Sequence, residues 1–315
     1  MWRKTGVALV VAGLTTAATQ VGAPAANAQF PGSNGKIVFG QHSADFSDSD
    51  IWTINPNGSG AQDLTPDPSS FDFQPQFSPD STKIIFTRIP LTGPDGVYVM
   101  NADGTGTPAF VPNTAGGRQA TWSPDGTKLL FMTPVGDEFD LAVVNMNGTG
   151  TPTLLTHTAP AFGNFNPRYS PEGDSVVFTS NRDGNTSCGG FFGCLSIYTM
   201  RADGSQVRKL TADSLDSFAP DWSPDGNKIL FTNHFHEPNS DILVINANGS
   251  HLRQLTTAAA DEVNARWSPD GQQIVLAVFP GHLPQELFTM NADGSGQTEL
   301  THSGTAATSP DWGRG

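Results

Sequence analysis

The sequence predicts an all-β protein with the architecture of a six-bladed β-propeller. Three observations lead to this fold class: an aromatic-Ser-Pro-Asp-Gly motif recurs along the chain, a motif ending in Asp-Gly or Asn-Gly recurs in the same rhythm, and every interval has room for four short strands. Four-stranded units of about 45 residues have the size of one propeller blade. The repeat therefore indicates the fold class before any single strand is assigned.

The first motif ends each innermost strand and begins a turn. Its aromatic residues are spaced by 45, 47, 53, 45 and 45 residues, and they are Phe77, Trp122, Tyr169, Trp222, Trp267 and Trp312. In the turn that follows, proline presets φ, aspartate bonds nearby backbone and glycine accepts a positive φ. Ser81 replaces that glycine in the first copy. We expect a strained turn there, at a cost of about 1 kcal/mol.

Three further strands follow in each unit. The second strand is rich in β-branched and aromatic residues, as at residues 83–86 and 228–231, and the third is similar, as at residues 242–245. The second motif, of which residues 101–104 are one copy, makes a hairpin turn into a short outer strand that ends in Leu-Thr. One unit lacks Leu-Thr and has Phe110-Val111-Pro112 instead.

The two ends of the repeat complete one unit. Residues 34–39 match a second strand with no innermost strand before it, and residues 309–312 match an innermost strand with nothing after it. We expect these N- and C-terminal strands to pair in blade one, which closes the ring and leaves no open sheet edge. The propeller then occupies residues 34–313, after a short lead at residues 29–33, and its blades are numbered in chain order.

Residues 1–28 have the pattern of a secretory signal peptide. Arg3 and Lys4 precede an apolar stretch at residues 7–14, and Ala26-Asn27-Ala28 is an A-x-A cleavage pattern. The stretch is short for a bilayer span, so we expect cleavage before Gln29 rather than an uncleaved anchor. The mature chain is then secreted, or periplasmic at the cell envelope. We expect it to have no transmembrane segment and to be a monomer.

The charge balance excludes one large class of partner. The chain has 16 basic and 30 acidic residues, a net charge of -14 that becomes -16 once the signal peptide is removed. Nucleic-acid-binding proteins concentrate lysine and arginine to displace counterions. The sequence therefore predicts no nucleic-acid partner.

The two cysteines lie in the longest unit. Cys188 and Cys194 bracket a short segment, and an exported chain permits a disulfide between them. Such a bridge would hold Phe191 and Phe192 at the tip of a stapled loop. Two aromatic residues in this position are candidate anchors for a partner. The alternative is that they pack against a neighbouring loop.

The repeated pattern resembles a known family. Its elements are Pro-x-Trp-Ser-Pro-Asp-Gly-x-x-Ile-x-Phe, then Ile-Tyr-x-Met-Asn-Ala-Asp-Gly, then Leu-Thr. Together they resemble the WD40-like repeat of TolB-type β-propellers over residues 34–313, without the α/β domain that precedes the propeller in TolB. The resemblance implies a propeller that binds proteins or peptides over one end of its channel. Similar blades occur in prolyl-oligopeptidase-type peptidases, but the chain contains no G-x-S-x-G nucleophile elbow.

In this topology the connections divide between two faces of the disc. The Ser-Pro-Asp-Gly and Asn-Ala-Asp-Gly turns lie on one face, called here the turn face. The loops between second and third strands and the loops after Leu-Thr lie on the other, called here the loop face. The turns hardly vary between blades, whereas the loops vary in length and composition. Variable loops on a rigid scaffold are typical of a binding surface.

Several histidines fall in the loops of blades five, six and one. His42, His234, His236 and His282 follow second strands, with Asp45, Asp48, Asp50 and Glu237 nearby in sequence. Blades five, six and one are contiguous in a closed ring, so these residues form a candidate site for a divalent metal. Because no tight His spacing supports the site, the alternative is a set of exposed polar loop residues. No other cofactor is predicted.

The residue before each inner aromatic forms a second candidate site, at the channel. In chain order the series is Gln76, Thr121, Arg168, Asp221, Arg266 and Asp311. Its last four members alternate in charge. One interpretation is structural, with charged residues of neighbouring blades paired around the channel. The other is a polar channel that recognises a carboxylate or an ammonium group of a ligand.

The leading functional hypothesis is an exported, non-enzymatic propeller that binds a protein or peptide of the cell envelope on its loop face. Two alternatives come from other classes. One is a metal-dependent enzyme of the lyase or lactonase type that uses the loop histidines. The other is a glycan-binding module, favoured by five loop aromatics: Phe46, Phe71, Phe73, Phe162 and Phe165.

Overall fold

The structure is a computed structural model that describes residues 32–43, 46–157, 162–188, 193–234, 239–279, 284–302 and 304–315. The predicted signal peptide lies outside these residues. Within the described ranges the regular structure is β-strand, apart from one short 3-10 helix at Asp213–Leu215. No helix in the same ranges has the length and apolar character of a membrane span.

The described part of the chain contains 24 strands. They are β1 (Asn34–His42), β2 (Ser49–Ile54), β3 (Gln62–Asp63), β4 (Ser70–Phe77), β5 (Lys83–Pro90), β6 (Gly96–Asn101), β7 (Ala109–Ala115), β8 (Arg118–Trp122), β9 (Lys128–Val135), β10 (Glu138–Asn145), β11 (Thr153–Leu154), β12 (Asn164–Tyr169), β13 (Ser175–Ser180), β14 (Ser196–Arg201), β15 (Arg208–Lys209), β16 (Ser217–Trp222), β17 (Lys228–His234), β18 (Ser240–Asn246), β19 (Arg253–Gln254), β20 (Asp261–Trp267), β21 (Gln273–Phe279), β22 (Glu286–Asn291), β23 (Thr298–Glu299) and β24 (Ala307–Arg314).

These strands form six antiparallel four-stranded units. Blade one is β24-β1-β2-β3, and the other blades are β4–β7, β8–β11, β12–β15, β16–β19 and β20–β23. A single parallel bridge between Ser49 and Phe71 joins the sheets of blades one and two. In blade one, Ile37 pairs with Trp312 and Gln41 with Ala307. The predicted six-bladed propeller, with blade one closed by the first and last strands, is confirmed.

The hydrophobic core lies between blades and closes the same ring. Six clusters of buried residues occupy the six junctions between adjacent blades in the described chain. The second strands of blades one to five each supply a phenylalanine that is at most 1% exposed: Phe39, Phe86, Phe131, Phe178 and Phe231. Fully burying one such side chain contributes about 1.5–3 kcal/mol. Each blade therefore depends on both of its neighbours for its core.

The Leu-Thr motif has a defined structural role. The Oγ1 atom of its threonine accepts a hydrogen bond from a buried N–H near the start of the third strand, as Thr65 does from Ile51 at 2.9 Å. The same bond recurs at Thr156, Thr211, Thr256 and Thr301. In blade two, where the motif is missing, Thr114 in the longer strand β7 accepts from Val97 at 3.2 Å. The outer strand is therefore fastened in the same way in every blade.

Each innermost strand carries a bulge three residues before its aromatic residue. The residue at the bulge has a φ between 48° and 56° in all six blades, and these residues are Gln74, Gln119, Asn166, Ala219, Asn264 and Ser309. The strand register shifts at the same places, for example between Phe73 and Gln76. A left-handed conformation in a non-glycine residue costs of order 1 kcal/mol, so the surrounding sheet must impose it. The bulges present the next residues to the central channel.

The two faces have the predicted contents. On the turn face, the Ser78 hydroxyl donates to Asp80 at 2.6 Å and accepts from the Lys83 N–H at 2.9 Å. On the loop face, the two kinds of loop hydrogen bond to each other: the Leu91 N–H donates to the Ser69 carbonyl at 2.8 Å. The variable loops are therefore anchored to one another as well as to the strands.

Ser81 has the positive φ expected of the glycine that it replaces, 55°. Its hydroxyl also accepts a hydrogen bond from the Arg314 N–H at 2.7 Å, which ties the turn of blade two to the end of β24. The serine thus compensates part of its backbone strain with a link between blades.

We predict that Ser81→Ala is more destabilising than Ser81→Gly. The alanine keeps the strained φ and loses the bond to Arg314, which costs about 1 kcal/mol, whereas the glycine loses the bond but relieves the strain. Urea unfolding of the two variants measures the difference. A Ser81→Gly variant that is the less stable of the two would show that the positive φ is not a source of strain at this position.

Candidate functional site: the axial channel and the loop face

The inner strands of all six blades surround an axial channel with two cavities. The cavity on the turn side has a volume of about 160 Å³ and is walled by the six inner aromatic residues, with Asp221 and Asp311 exposed to it. The cavity on the loop side has a volume of about 260 Å³ and is lined by residues of the six bulges and by Arg266. Arg168 borders both cavities, so it marks the waist of the channel.

At the waist, three of the predicted site residues link neighbouring blades through the backbone. Asp221 accepts a hydrogen bond from the Trp267 N–H at 3.0 Å, and Asp311 accepts from the Phe77 N–H at 3.0 Å. Gln76 accepts from the Trp122 N–H at 3.2 Å. In each case the acceptor is one blade before the donor. The residue before the aromatic therefore fastens its blade to the next one.

The ion pair between blades in this series joins opposite blades rather than adjacent ones. Within the described chain, the salt bridge in this series joins Arg168 of blade four to Asp311 of blade one, at 3.5 Å. Blades four and one are opposite each other in a ring of six, so the pair crosses the channel. The neighbouring Asp221 instead uses its carboxylate on the Trp267 N–H. The Trp267 N–H therefore lies closer to the Asp221 carboxylate than the Arg266 side chain of the same blade does.

Burial shifts the pKa of three of these groups. It raises the pKa of Asp311 to about 6, against the opposing effect of the Arg168 guanidinium. It raises the pKa of Asp221 as well, with Arg266 and Arg168 acting in the opposite direction. Burial and the charge of Arg168 lower the pKa of Arg266 to about 10. Burial therefore disfavours the charged form of all three groups within one narrow channel.

On the loop side of the waist, Arg266 is 7% exposed. Its Nη1 donates to the carbonyls of Ala265 at 2.9 Å and Ala219 at 3.4 Å. Its Nε is buried and has no hydrogen-bond partner. A buried guanidinium with an unused donor is costly, because each lost bond to a charged group is worth more than a neutral one.

The loop face presents apolar side chains over four contiguous blades, six, one, two and three. Of the seven exposed large hydrophobic residues in the described chain, five lie here: Phe46, Ile89, Leu91, Val135 and Phe279. Leu91 is 80% exposed and Phe46 is 62% exposed. The other two, Val207 and Leu252, lie beside the outer strands of blades four and five. The sequence did not predict this distribution, because the exposed fraction of a side chain depends on the side of the disc on which its strand ends.

The loop face is also acidic. Its described carboxylates far outnumber its basic groups, and they are Asp48, Asp50, Asp63, Asp67, Asp72, Asp95, Asp137, Glu138, Asp140, Asp183, Asp213, Asp216, Asp241, Asp261, Glu262, Glu286 and Glu299. The basic groups are already paired: Arg88 with Asp72 at 2.6 Å, and Lys209 with Asp183 at 2.6 Å. Burial, with the charges of Asp63 and Asp48, raises the pKa of Asp50 to about 7.

The predicted disulfide is present between Cys188 and Cys194, with a Cα–Cα distance of 5.1 Å. The loop base is fastened by the Cys194 N–H, which donates to the Asn185 carbonyl at 2.7 Å. Phe191 and Phe192 lie outside the described residues. Their assignment as partner anchors therefore stays a prediction.

The metal-site histidines are only partly described. His42 contacts the Phe46 ring at a centroid distance of 5.6 Å, and burial lowers its pKa. The Nδ1 of His234 lies 3.0 Å from the Ser240 hydroxyl. His236 and His282 lie outside the described residues. Among those that are described, no group of three or more His, Cys, Asp or Glu residues has the arrangement of a metal site. The metal site stays a prediction.

The fold and the site define a closed six-bladed β-propeller with a polar channel and one variable, acidic face. The chain belongs to the family of the TolB β-propeller domain, whose model matches residues 107–233 and 214–314. This finding confirms the family that the repeat resembles.

Individual relatives are distant. An uncharacterized protein of Agrobacterium fabrum, Atu1656, is 27% identical over 157 residues, which are 50% of this chain and 49% of that protein. The chain therefore spans about half the length of that relative.

Among solved structures, TolB from Acinetobacter baumannii is similar with a TM-score of 0.74 and 21% identity, over 88% of this chain and 66% of that one. An oligogalacturonate lyase in complex with manganese is similar with a TM-score of 0.53 and 18% identity, over 86% and 74%. Both structural likenesses concern the fold.

We predict that Asp221→Ala lowers the melting temperature by several degrees. The substitution leaves the Trp267 N–H without its acceptor, at a cost of about 1–3 kcal/mol, and a domain of this size loses about 2–4 °C per kcal/mol. Asp221→Asn keeps an acceptor oxygen and is the matched control, with a smaller decrease expected. Calorimetry compares the two. Equal decreases would mean that charge, and not the backbone bond, matters at this position.

We predict a pH-dependent difference between the wild type and Asp311→Asn. Because the folded chain binds the Asp311 proton more tightly than the unfolded chain does, the stability from this group is greatest below about pH 4 and is lost as pH rises to about 6. The free energy of unfolding of the wild type, relative to the variant, should fall over this range by on the order of 3 kcal/mol.

The control for this measurement is Asp103→Asn, in an exposed turn. Hydrogen bonds from Thr105 lower the pKa of Asp103, so its contribution has the opposite sign and is lost as the pH falls. Chemical unfolding at several pH values measures both variants. A pH-independent difference for Asp311→Asn would contradict the raised pKa.

Proposed function

We propose that this chain is an exported, non-enzymatic propeller that binds a protein or peptide partner on its loop face. The observation that carries the proposal is the arc of exposed apolar side chains on that face, headed by Leu91 and Phe46. Monomeric proteins rarely leave such groups exposed together unless another molecule covers them. The turn face is built from repeated turns whose side chains bond their own backbone, so it offers less to a specific partner.

The charge of the loop face indicates the character of the partner. Acidic groups dominate this face, and its arginines and Lys209 are engaged by neighbouring carboxylates and rings. A partner surface that combines apolar side chains with lysine or arginine is complementary to it. The partner in this proposal is therefore a basic, amphipathic segment of protein.

The proposed place of action is the periplasm or the outside of the cell. The disulfide between Cys188 and Cys194 requires an oxidising compartment to persist. The basic-apolar pattern of residues 1–28 supports export. Membership of the TolB β-propeller domain family supports a cell-envelope setting, as an expectation from the resemblance.

The two alternatives have less support. The likeness to the manganese-bound oligogalacturonate lyase concerns the fold, and the metal hypothesis depends on His236 and His282 joining His42 and His234. Metal analysis of the purified protein tests it, and a bound transition metal would favour the enzyme. The glycan hypothesis needs flat exposed aromatics. Of its five candidate residues only Phe46 is exposed, while Phe165, for example, contacts Phe139 at 6.2 Å.

We predict that the double substitution Phe46→Ser with Leu91→Ser weakens partner binding by at least tenfold. The two serines remove the most exposed apolar groups of the loop face without touching the core. The matched control is Val207→Ser with Leu252→Ser, which removes two exposed apolar groups beside the outer strands. Binding is measured by capture from envelope extract, identification of the captured protein, and titration of that protein by calorimetry.

The same titration includes a third variant, Phe191→Ser with Phe192→Ser, which tests the stapled loop as an anchor. Loss of binding by the control pair, with binding retained by the Phe46 and Leu91 variant, would place the interface elsewhere and overturn the proposal. Loss in both the loop-face variants, with the control intact, supports it.

A further inference from the structure

The loop-side cavity of the channel is lined for an anion. Its walls come from residues at or next to the six bulges, and Arg168 and Arg266 also line it. No acidic residue lines it within the described chain. The carboxylates of Asp221 and Asp311 border the turn-side cavity and are bonded to backbone N–H groups there. The channel is therefore polar along its axis, with its positive end toward the loop face.

Arg266 is not satisfied by the protein alone. A guanidinium has five N–H donors. Arg266 is 7% exposed and its Nε has no partner, although its Nη1 reaches two backbone carbonyls. Arg168 donates to Asp311 at 3.5 Å, a long contact. Their like charges also repel each other, which lowers the pKa of Arg266. An anion placed between them would relieve both costs.

The polar side chains that line the loop-side cavity suit a peptide main chain. Four bulge residues with amide side chains and one with a hydroxyl line the cavity: Gln74, Gln119, Asn166, Asn264 and Ser309. Amides both donate and accept, as a peptide main chain also does. All five are held at φ between 48° and 56°, and the Gln119 oxygen accepts from the Asn166 N–H at 2.7 Å.

We propose that this cavity binds the free C-terminal carboxylate of a peptide, with Arg168 and Arg266 as the groups that receive it. The inference rests on the proposed function, because it specifies which end of the partner enters the channel. The volume of about 260 Å³ lies below the range of pockets for whole small ligands, about 300–1,000 Å³. It fits one terminal group and the residue that carries it.

The acidic loop face sets a condition on this ligand. An isolated anion must pass the carboxylates around the channel, which repel it. A chain end preceded by lysine residues satisfies both parts of the surface, because its basic side chains remain at the acidic face while its carboxylate enters the channel. A sugar acid offers the same carboxylate without the basic flank or the main chain. The peptide is therefore the favoured source.

The test compares two probes that differ at one group. They are N-acetylated pentapeptides of alanine and lysine with identical sequences, one with a free C-terminal carboxyl and one with a C-terminal amide. Binding to the wild-type protein is measured by NMR titration. We expect the free acid to bind at least tenfold more tightly than the amide. Equal affinities would overturn the proposal, and so would tighter binding of D-galacturonate than of the free acid.

Substitutions of the two arginines test where the carboxylate of the peptide binds. Arg266→Gln and Arg168→Gln are expected to abolish the preference for acid over amide, and Arg266→Lys is expected to retain part of it. Arg208→Gln is the control, because Arg208 is an exposed arginine in the outer strand β15, away from the channel. Thermal melting shows that each variant is folded. If Arg266→Gln does not fold, Arg168→Gln decides the question, since its side chain is less enclosed. A preference that survives in both would place the carboxylate elsewhere.

The test of the channel site and the test of the proposed function give results that can be distinguished. The Phe46 and Leu91 substitutions remove apolar groups of the loop face and leave the channel unchanged, so this variant should keep its acid preference for the short probes. Partner binding that depends on Phe46 and Leu91, without any acid preference, would support the loop face and overturn the channel site. An acid preference without any dependence on Phe46 and Leu91 would support the site and overturn the wider interface.

Discussion

The pairing of β24 with β1 is the constraint on which the rest of the structure depends. Each blade buries its two faces only against the neighbouring blades. A missing junction would therefore expose a buried face on each of two blades. At the closing junction, β24 pairs with β1 within its own blade, and it also reaches blade two through Asp311 and Arg314, which bond Phe77 and Ser81. Closure thus uses backbone pairing, a carboxylate and a hydroxyl together. These contacts complete the ring around the channel.

The bulge in each inner strand determines which side chains line the channel. A regular inner strand would alternate its side chains between the two faces of its sheet, but the bulge at Asn166 and its equivalents shifts that alternation. The residue before each aromatic then reaches across to the next blade, and the bulge residue itself borders the loop-side cavity. Left-handed backbone is a cost to stability. Its repetition in six blades indicates that the sheet curvature needed for closure imposes it, and the lining of the channel results from the same geometry.

The repeat made the fold, the closure and the disulfide predictable, because each follows from local turn chemistry, spacing and one cysteine pair. The contacts across the ring were not predictable in the same way. The sequence shows that Arg168 and Asp221 have opposite charges in adjacent blades, but their partners depend on which backbone donor the bulge exposes. Even so, an asparagine or glutamine three residues before the aromatic recurs in four blades, and asparagine in particular tolerates a positive φ. That signal was available in the sequence and indicates the bulge.

The separation of charge along the axis follows from where each kind of residue can be stabilised. A carboxylate one residue before the aromatic meets the N–H of the next blade, so Asp221 and Asp311 are held on the turn side of the waist. The two arginines at this position behave differently. Arg168 donates to Asp311 across the channel and borders both cavities. Arg266 donates to backbone carbonyls near the bulge and lines the loop-side cavity. The positive end of the channel therefore opens beneath an acidic face, and a ligand that matches both must carry its opposite charges in that order.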